Sequence, residues 1–185
     1  MSIYFARIFV LGSILLSVPA VPVGQQNMNL ETFKRDSRIF EGILDELLKQ
    51  TFSDFSIASE PLTSYMPGYG VVTTFYLKIN RMTIRTPFGT IQRPRTASSQ
   101  TKQEQIRTVK ETMMEALANY GATLKGLNPN DHISVCARIE DRNELDPSKN
   151  QSVVVLTVTK DDIELYNMKK ITLDDFKARV RIIEY

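Results

Sequence analysis

The chain has one histidine, His132, and one cysteine, Cys136, the residue types of a nucleophile and its base. Chemistry between them needs the imidazole within about 3 Å of the sulfur. In "HISVCARI" the two stand four residues apart in a β-rich run, on one face of a strand but on the order of 13 Å apart along it. That spacing supports a packed thiol and a strand-end imidazole rather than a catalytic pair. One His and one Cys also fall short of the four ligands of a structural zinc site.

Paired carboxylates of the kind that hydrolyse glycosides are a second possibility, and doubled acids occur at Asp45-Glu46, Glu140-Asp141, Asp161-Asp162 and Asp174-Asp175. The last two fall in the first turns of helices, where electrostatics alone favours carboxylates. "EDRNELD", from Glu140 to Asp146, lacks the glycine and the oxygen spacing of a calcium loop. In "SYMPGYGVVTTFYLKI", Ser64 to Ile79, Gly68 and Gly70 flank a tyrosine beside a strand, as glycines do near many phosphate sites. A dinucleotide fingerprint places its glycines after a strand and at a helix start, with a third where this chain has Thr73. Here they precede the strand, and Met66-Pro67-Gly68-Tyr69 puts Pro and Gly at the two central positions of a type II turn. These patterns predict a turn, with no cofactor and no metal. Asn150-Gln151-Ser152 is a glycosylation sequon, which has meaning only in a eukaryotic source.

Charge is segregated. No acid occurs between Glu60 and Glu104, an interval that holds Lys78, Arg81, Arg85, Arg93, Arg95 and Lys102. A loop bearing arginines can contact anionic lipid headgroups, a cell-wall polymer or an acidic protein, with gains that salt screens. The plain alternative is a solvated loop whose charges pair with the acid-rich tail. Arg85, Arg93 and Arg95, with Tyr76 and Lys78 of the preceding strand, are the candidate partner-binding residues, and the partner they suit is an anionic envelope component or a protein.

The start of the chain sets the expected compartment. "MSIYFAR" carries one cation, Arg7, and "IFVLGSILLSV" is an apolar run too short to span a bilayer comfortably, followed by "VPA" with small residues at Val18 and Ala20. Residues 1–20 read as a secretory signal peptide, the rival being an uncleaved anchor. Its removal leaves 165 residues and takes the net charge from +2 to +1. That length suits one domain with a real core, and the near-neutral charge argues against a nucleic-acid binder. A single cysteine allows no internal disulfide. No later segment reaches transmembrane length, and nothing in the pattern sets the oligomeric state.

Residues 21–35 read as a flexible lead-in. From Asp36 to Gln50, Ile39, Phe40, Ile43, Leu44, Leu47 and Leu48 recur at helical spacing. "FSDFSIAS" suggests a short strand, and Val71 to Ile79 a longer one. Arg81 to Gln100, with Pro87, Gly89 and Pro94, reads as a loop or a loosely attached hairpin. Thr101 to Glu104 is a capping box opening a helix through Ile106, Val109, Met113, Leu117 and Tyr120, with Gly121 closing it. "HISVCARI" and "SVVVLTVT" predict an antiparallel pair, Thr159/Asp162 and Thr172/Asp175 predict two short capped helices, and "VRIIEY" a final strand.

"YMPGYGVV", "ALANYGATLKGLNPNDHISVCARI" and "VTKDDIELYNMKKITLDDFKARVRIIEY" together resemble a group of exported bacterial proteins that carry no assigned function. The likeness runs from about Asp36 to Tyr185 and rests on turns, helix ends and core positions. It implies a periplasmic or envelope address and supplies no catalytic residue.

The expected fold is a single α+β domain over residues 36–185: a small mixed sheet of three to five strands, two longer helices on one face and short C-terminal helices at an edge. If the helices cover the face of Phe75, Leu77, Ile79, Ile133, Val135 and Ile139, the other face shows Thr74, Tyr76, Lys78, His132, Ser134 and Arg138. A strand, a helix and a parallel neighbouring strand would make a right-handed crossover. The function expected is an exported, non-enzymatic binding or assembly protein; the alternative is a hydrolase using Asp and Glu residues gathered by the fold.

Overall fold

A computed structural model describes residues 29–51, 56–79, 82–86, 89–93, 102–141 and 150–185, and only the backbone of residue 56 and of residues 82–86 and 89–93. The expected signal segment 1–20 and residues 21–28 of the lead-in lie outside the described residues. In chain order the elements are α1 (Leu30–Thr51), β1 (Ser56–Met66), β2 (Gly70–Ile79), β3 (Met82–Thr86), β4 (Gly89–Arg93), α2 (Lys102–Tyr120), a 3-10 turn (Gly121–Thr123), β5 (His132–Asp141), β6 (Gln151–Thr159), α3 (Lys160–Asn167), α4 (Leu173–Arg179) and β7 (Arg181–Glu184).

The fold is α+β. A five-stranded mixed sheet runs β1-β2-β5-β6-β7, and β3 and β4 form a separate two-stranded ladder. Strands β2 and β5 are parallel neighbours in unbroken register from Gly70↔His132 to Ile79↔Asp141, whereas the other neighbours in the sheet are antiparallel. Parallel pairing demands a long connection, and the hairpin and α2 supply it. The helices and one sheet face share a single core of Phe40, Leu44, Leu48, Val71, Phe75 and Leu77 with Val109, Met113, Leu117, Ile133, Val135, Leu156 and Phe176. Alternation decides which strand residues join it: Val154, Leu156 and Val158 are buried while Val153, Val155 and Thr157 between them are only half-buried.

Four local findings refine the sequence reading. Helix α1 starts at Leu30, six residues ahead of Asp36. The Asn29 side-chain oxygen accepts from the N–H groups of Glu31 and Thr32 at 3.1 Å each, so a cap rather than apolar periodicity sets the start. Residues 30–35 of the expected lead-in are therefore helical, and Ile39 is 47% exposed rather than part of the buried stripe. Strand β1 is 11 residues long, not a short strand. Strands β3 and β4 resolve the loop-or-hairpin choice for their own span as a hairpin ladder. The Thr101 side of the predicted capping box lies outside the described residues. Helix α2 ends at Tyr120 as expected, but Gly121 opens a 3-10 turn and takes no left-handed cap. A Cβ there would stand 2.7 Å from Ile163 Cδ1, so a side chain enters only if that methyl shifts.

The predicted C-terminal caps are present. Thr159 accepts from Asp162 N–H at 3.2 Å, and Thr172 and Asp175 exchange reciprocal bonds in a capping box.

Candidate functional site

The Met66–Tyr69 turn closes with a Tyr69 N–H bond to Met66 C=O at 3.0 Å, and Gly68 takes a φ of +78°, as a type II turn requires. Gly70 has a second, separate role. Its φ is +127°, and a Cβ there would lie 2.1 Å from the carbonyl oxygen of His132, where Tyr69 C=O accepts from His132 N–H at 2.8 Å. The two glycines thus build a turn and let β5 dock against it.

The sheet face away from the core carries Thr74 and Arg138 exposed, with Val72, Tyr76, Lys78, His132, Cys136 and Glu140 half-buried. At its Lys78 end the Tyr76 ring has Lys78 Nζ 5.5 Å and Arg138 Cζ 5.9 Å from its centroid, and its hydroxyl donates to Glu140 Oε2. Strand β5 brings Arg138 directly opposite Tyr76. Among the described residues neither Lys78 nor Arg138 has a carboxylate partner; Arg138 donates instead to Gln151 Oε1 at 2.9 Å. Two cations and one carboxylate, Glu140, gather around this ring, so the cluster keeps one net positive charge, which favours anions modestly.

Of the expected partner-binding residues, Tyr76 and Lys78 are thus neighbours. Arg85 and Arg93 belong to the β3–β4 ladder, opposite Thr90 and Met82, at ladder positions of opposite parity. Arg95 lies outside the described residues.

At the other end of the same face, roughly 26 Å along β2, lies a pocket of about 280 Å³ between Tyr69, His132, Thr157, Arg179, Arg181 and Ile183. The Tyr69 and His132 rings stack with centroids 5.1 Å apart. Tyr69 Oη, Ser134 Oγ and Thr157 Oγ1 form a hydroxyl chain with links of 2.6 and 2.8 Å. Ser134, 2% exposed, is its buried middle member. His132 and Cys136 lie on one face of β5 with Ser134 between them, so the imidazole stacks on Tyr69 and does not reach the sulfur. Burial pushes the Cys136 thiol up, which suits a packed group and not a nucleophile.

Carboxylates gather at one further place. A groove of about 500 Å³ between α2, α4 and β7 has Glu111 and Glu115 on its wall above Met114, Leu173 and Ile182. The two acids sit one helical turn apart and both are exposed, and Glu111 pairs with Arg107 at 3.8 Å. Among the described residues no group of three His, Cys, Asp or Glu is placed to hold a metal ion, and no helix is long and apolar enough to cross a membrane.

Lys160 escaped the sequence reading. It is 5% exposed at the start of α3, its ammonium reaches Ala122 C=O at 3.4 Å and Glu164 Oε1 at 3.6 Å, and burial holds its pKa below the usual lysine range against the pull of Glu164. Those contacts tie α3 to the 3-10 turn. No protein-family model, curated protein or solved structure matches the chain.

Proposed function

We propose that the protein is an exported, non-enzymatic binding or assembly module of a bacterial envelope that docks an anionic envelope component on the Lys78 end of its open sheet face. The observation that carries this reading is the cationic pair Lys78 and Arg138 around the Tyr76 ring, on the face that contributes nothing to the core. The apolar run at residues 1–20 and the resemblance to exported bacterial proteins support the compartment. In the sequence Arg85 and Arg93 follow Lys78 within 15 residues, in a stretch that carries no acid.

Co-sedimentation with a bacterial envelope fraction tests it. Retention of the wild-type protein falls steeply with salt, because exposed charges are screened within about a Debye length. The Lys78→Glu/Arg138→Glu variant loses retention, and the Arg85→Ala/Arg93→Ala/Arg95→Ala variant weakens it, both with near-native thermal stability since surface charges contribute little to folding. Retention that ignores both salt and the Lys78/Arg138 reversal would sink the proposal.

A further inference from the structure

The pocket at the opposite end of the face holds more hydrogen-bond donors than the fold uses. Its Tyr69–Ser134–Thr157 chain has three hydroxyl protons and two links. If Tyr69 and Thr157 both donated inward, the Ser134 proton would be buried without an acceptor, an arrangement native structures avoid. The chain therefore runs one way or the other, and in either direction it ends on an unshared O–H at Tyr69 or Thr157, both of which line the pocket. Arg179 spends Nη1 on Asp162 Oδ1 at 2.7 Å and keeps its other donors. Among the described residues the Arg181 guanidinium and the His132 imidazole have no hydrogen-bond partner; the imidazole makes only its stack with Tyr69.

Three carboxylates act on Arg179: Asp162 is bonded to it and to the Thr159 hydroxyl at 2.6 Å, and Asp161 and Asp175 attract it from farther off, so free donors rather than a surplus of charge are what an anion meets here. The donors come from five separate segments: the β1–β2 turn, β5, β6, the end of α4 and β7. A tetrahedral oxyanion offers three terminal oxygens to donors arriving from different sides, whereas a planar carboxylate offers two in one plane. Val155 and Ile183 supply an apolar wall, and the volume of about 280 Å³ corresponds to on the order of nine waters of liquid. That is room for a phosphoryl group on a short organic stem.

We infer that this pocket binds a phosphomonoester, held by Arg181, the free donors of Arg179, His132 and the terminal hydroxyl of the chain. None of these residues takes part in the Lys78 surface, so the inference stands whether or not that reading holds. The ester group comes either free, as in glycerol 3-phosphate, or on a lipid, as in phosphatidic acid.

Calorimetric titration with glycerol 3-phosphate, and flotation with phosphatidylcholine vesicles that contain or lack phosphatidic acid, test the inference on the full chain. Saturable binding of the soluble ester assigns the free form. Binding only to vesicles with phosphatidic acid assigns the lipid form. In either case Arg181→Ala weakens binding at least about ten-fold, since charge-assisted bonds to phosphate are among the stronger ones. Thr157→Val, which keeps shape and removes the hydroxyl, weakens it several-fold. Arg181 is exposed, so its loss leaves the fold intact, and matched thermal unfolding of the variant verifies this. No saturable binding of either probe up to about 10 mM, or binding that Arg181→Ala does not alter, overturns the assignment.

Discussion

Replacing Gly70 by alanine is the sharpest test of how β5 is docked. The new Cβ would stand 2.1 Å from His132 O, 2.7 Å from His132 N and 3.0 Å from His132 C, all backbone atoms with no rotamer to yield. Restoring an ordinary contact of 3.4 Å moves the start of β5 by about 1.3 Å, which stretches the His132 N–H bond to Tyr69 C=O from 2.8 Å toward the limit of hydrogen bonding. Two contributions add. Holding a non-glycine residue at positive φ costs about 1–2 kcal/mol, and a lost backbone bond costs about 1 kcal/mol. The expected loss is about 2–3 kcal/mol, or roughly 4–12 °C in Tm for a domain of this size.

Gly68→Ala is the internal control, because Gly68 has a positive φ of +78° and nothing lies within 4 Å of where the new methyl would stand. Only the conformational cost applies there, about 1 kcal/mol. Urea unfolding of both variants, with unchanged m-values and a midpoint shift at least twice as large for Gly70→Ala, is the predicted outcome. Equal shifts would show that the close approach to His132 carries no energy, and the docking account would fail.

Lys160→Met tests the buried ammonium. Its folded pKa lies below the unfolded value, so between the two the unfolded chain holds the extra proton and stability rises with pH. The Met variant is therefore expected to be at least as stable as wild type at pH 7, with the gap closing as pH climbs toward about 10.5; a gap that stays constant from neutral to alkaline pH refutes it. Cys136, with its thiol pushed up by burial, is expected to alkylate more slowly at neutral pH than a free thiol and to speed up on unfolding. Labelling of the folded protein as fast as glutathione would instead point to an activated thiolate.

Much of the fold was legible because it depends on short-range pattern. The face of Phe75, Leu77, Ile79, Ile133, Val135 and Ile139 is the core face, and β5 and β6 pair antiparallel as the two β-rich runs suggested. Thr159 and Thr172 cap their helices because a hydroxyl and a carboxylate three residues on are all a cap needs. Features set by distant contacts were not legible. Gly121 does mark the end of α2, but its close approach to Ile163, 42 residues later, is invisible in the local pattern. Asp36 looked like the start of α1; it is buried inside the helix instead, accepting from Arg35 at 3.0 and 3.1 Å and from Lys125 N–H at 3.3 Å. Basic residues at 85, 93 and 95 formed a tempting cluster in sequence, yet ladder parity separates two of them.

The phosphate-sized pocket shows how a polar site depends on a hydrophobic pattern. Ser134 and Thr157 are 23 residues apart and meet only through the β5–β6 register, which pairs them directly. Burying Val154, Leu156 and Val158 against the helices sets the parity of that register, which by strict alternation turns Val155, Thr157 and Thr159 to the other face. A one-residue slip of β6 would bury Thr157 and expose Leu156, exchanging a hydroxyl for an isobutyl group on both faces at once. The hydroxyl chain is therefore held in place by the whole core, and substituting Thr157 removes a donor without loosening the frame that positions Tyr69, His132 and Arg181 around it.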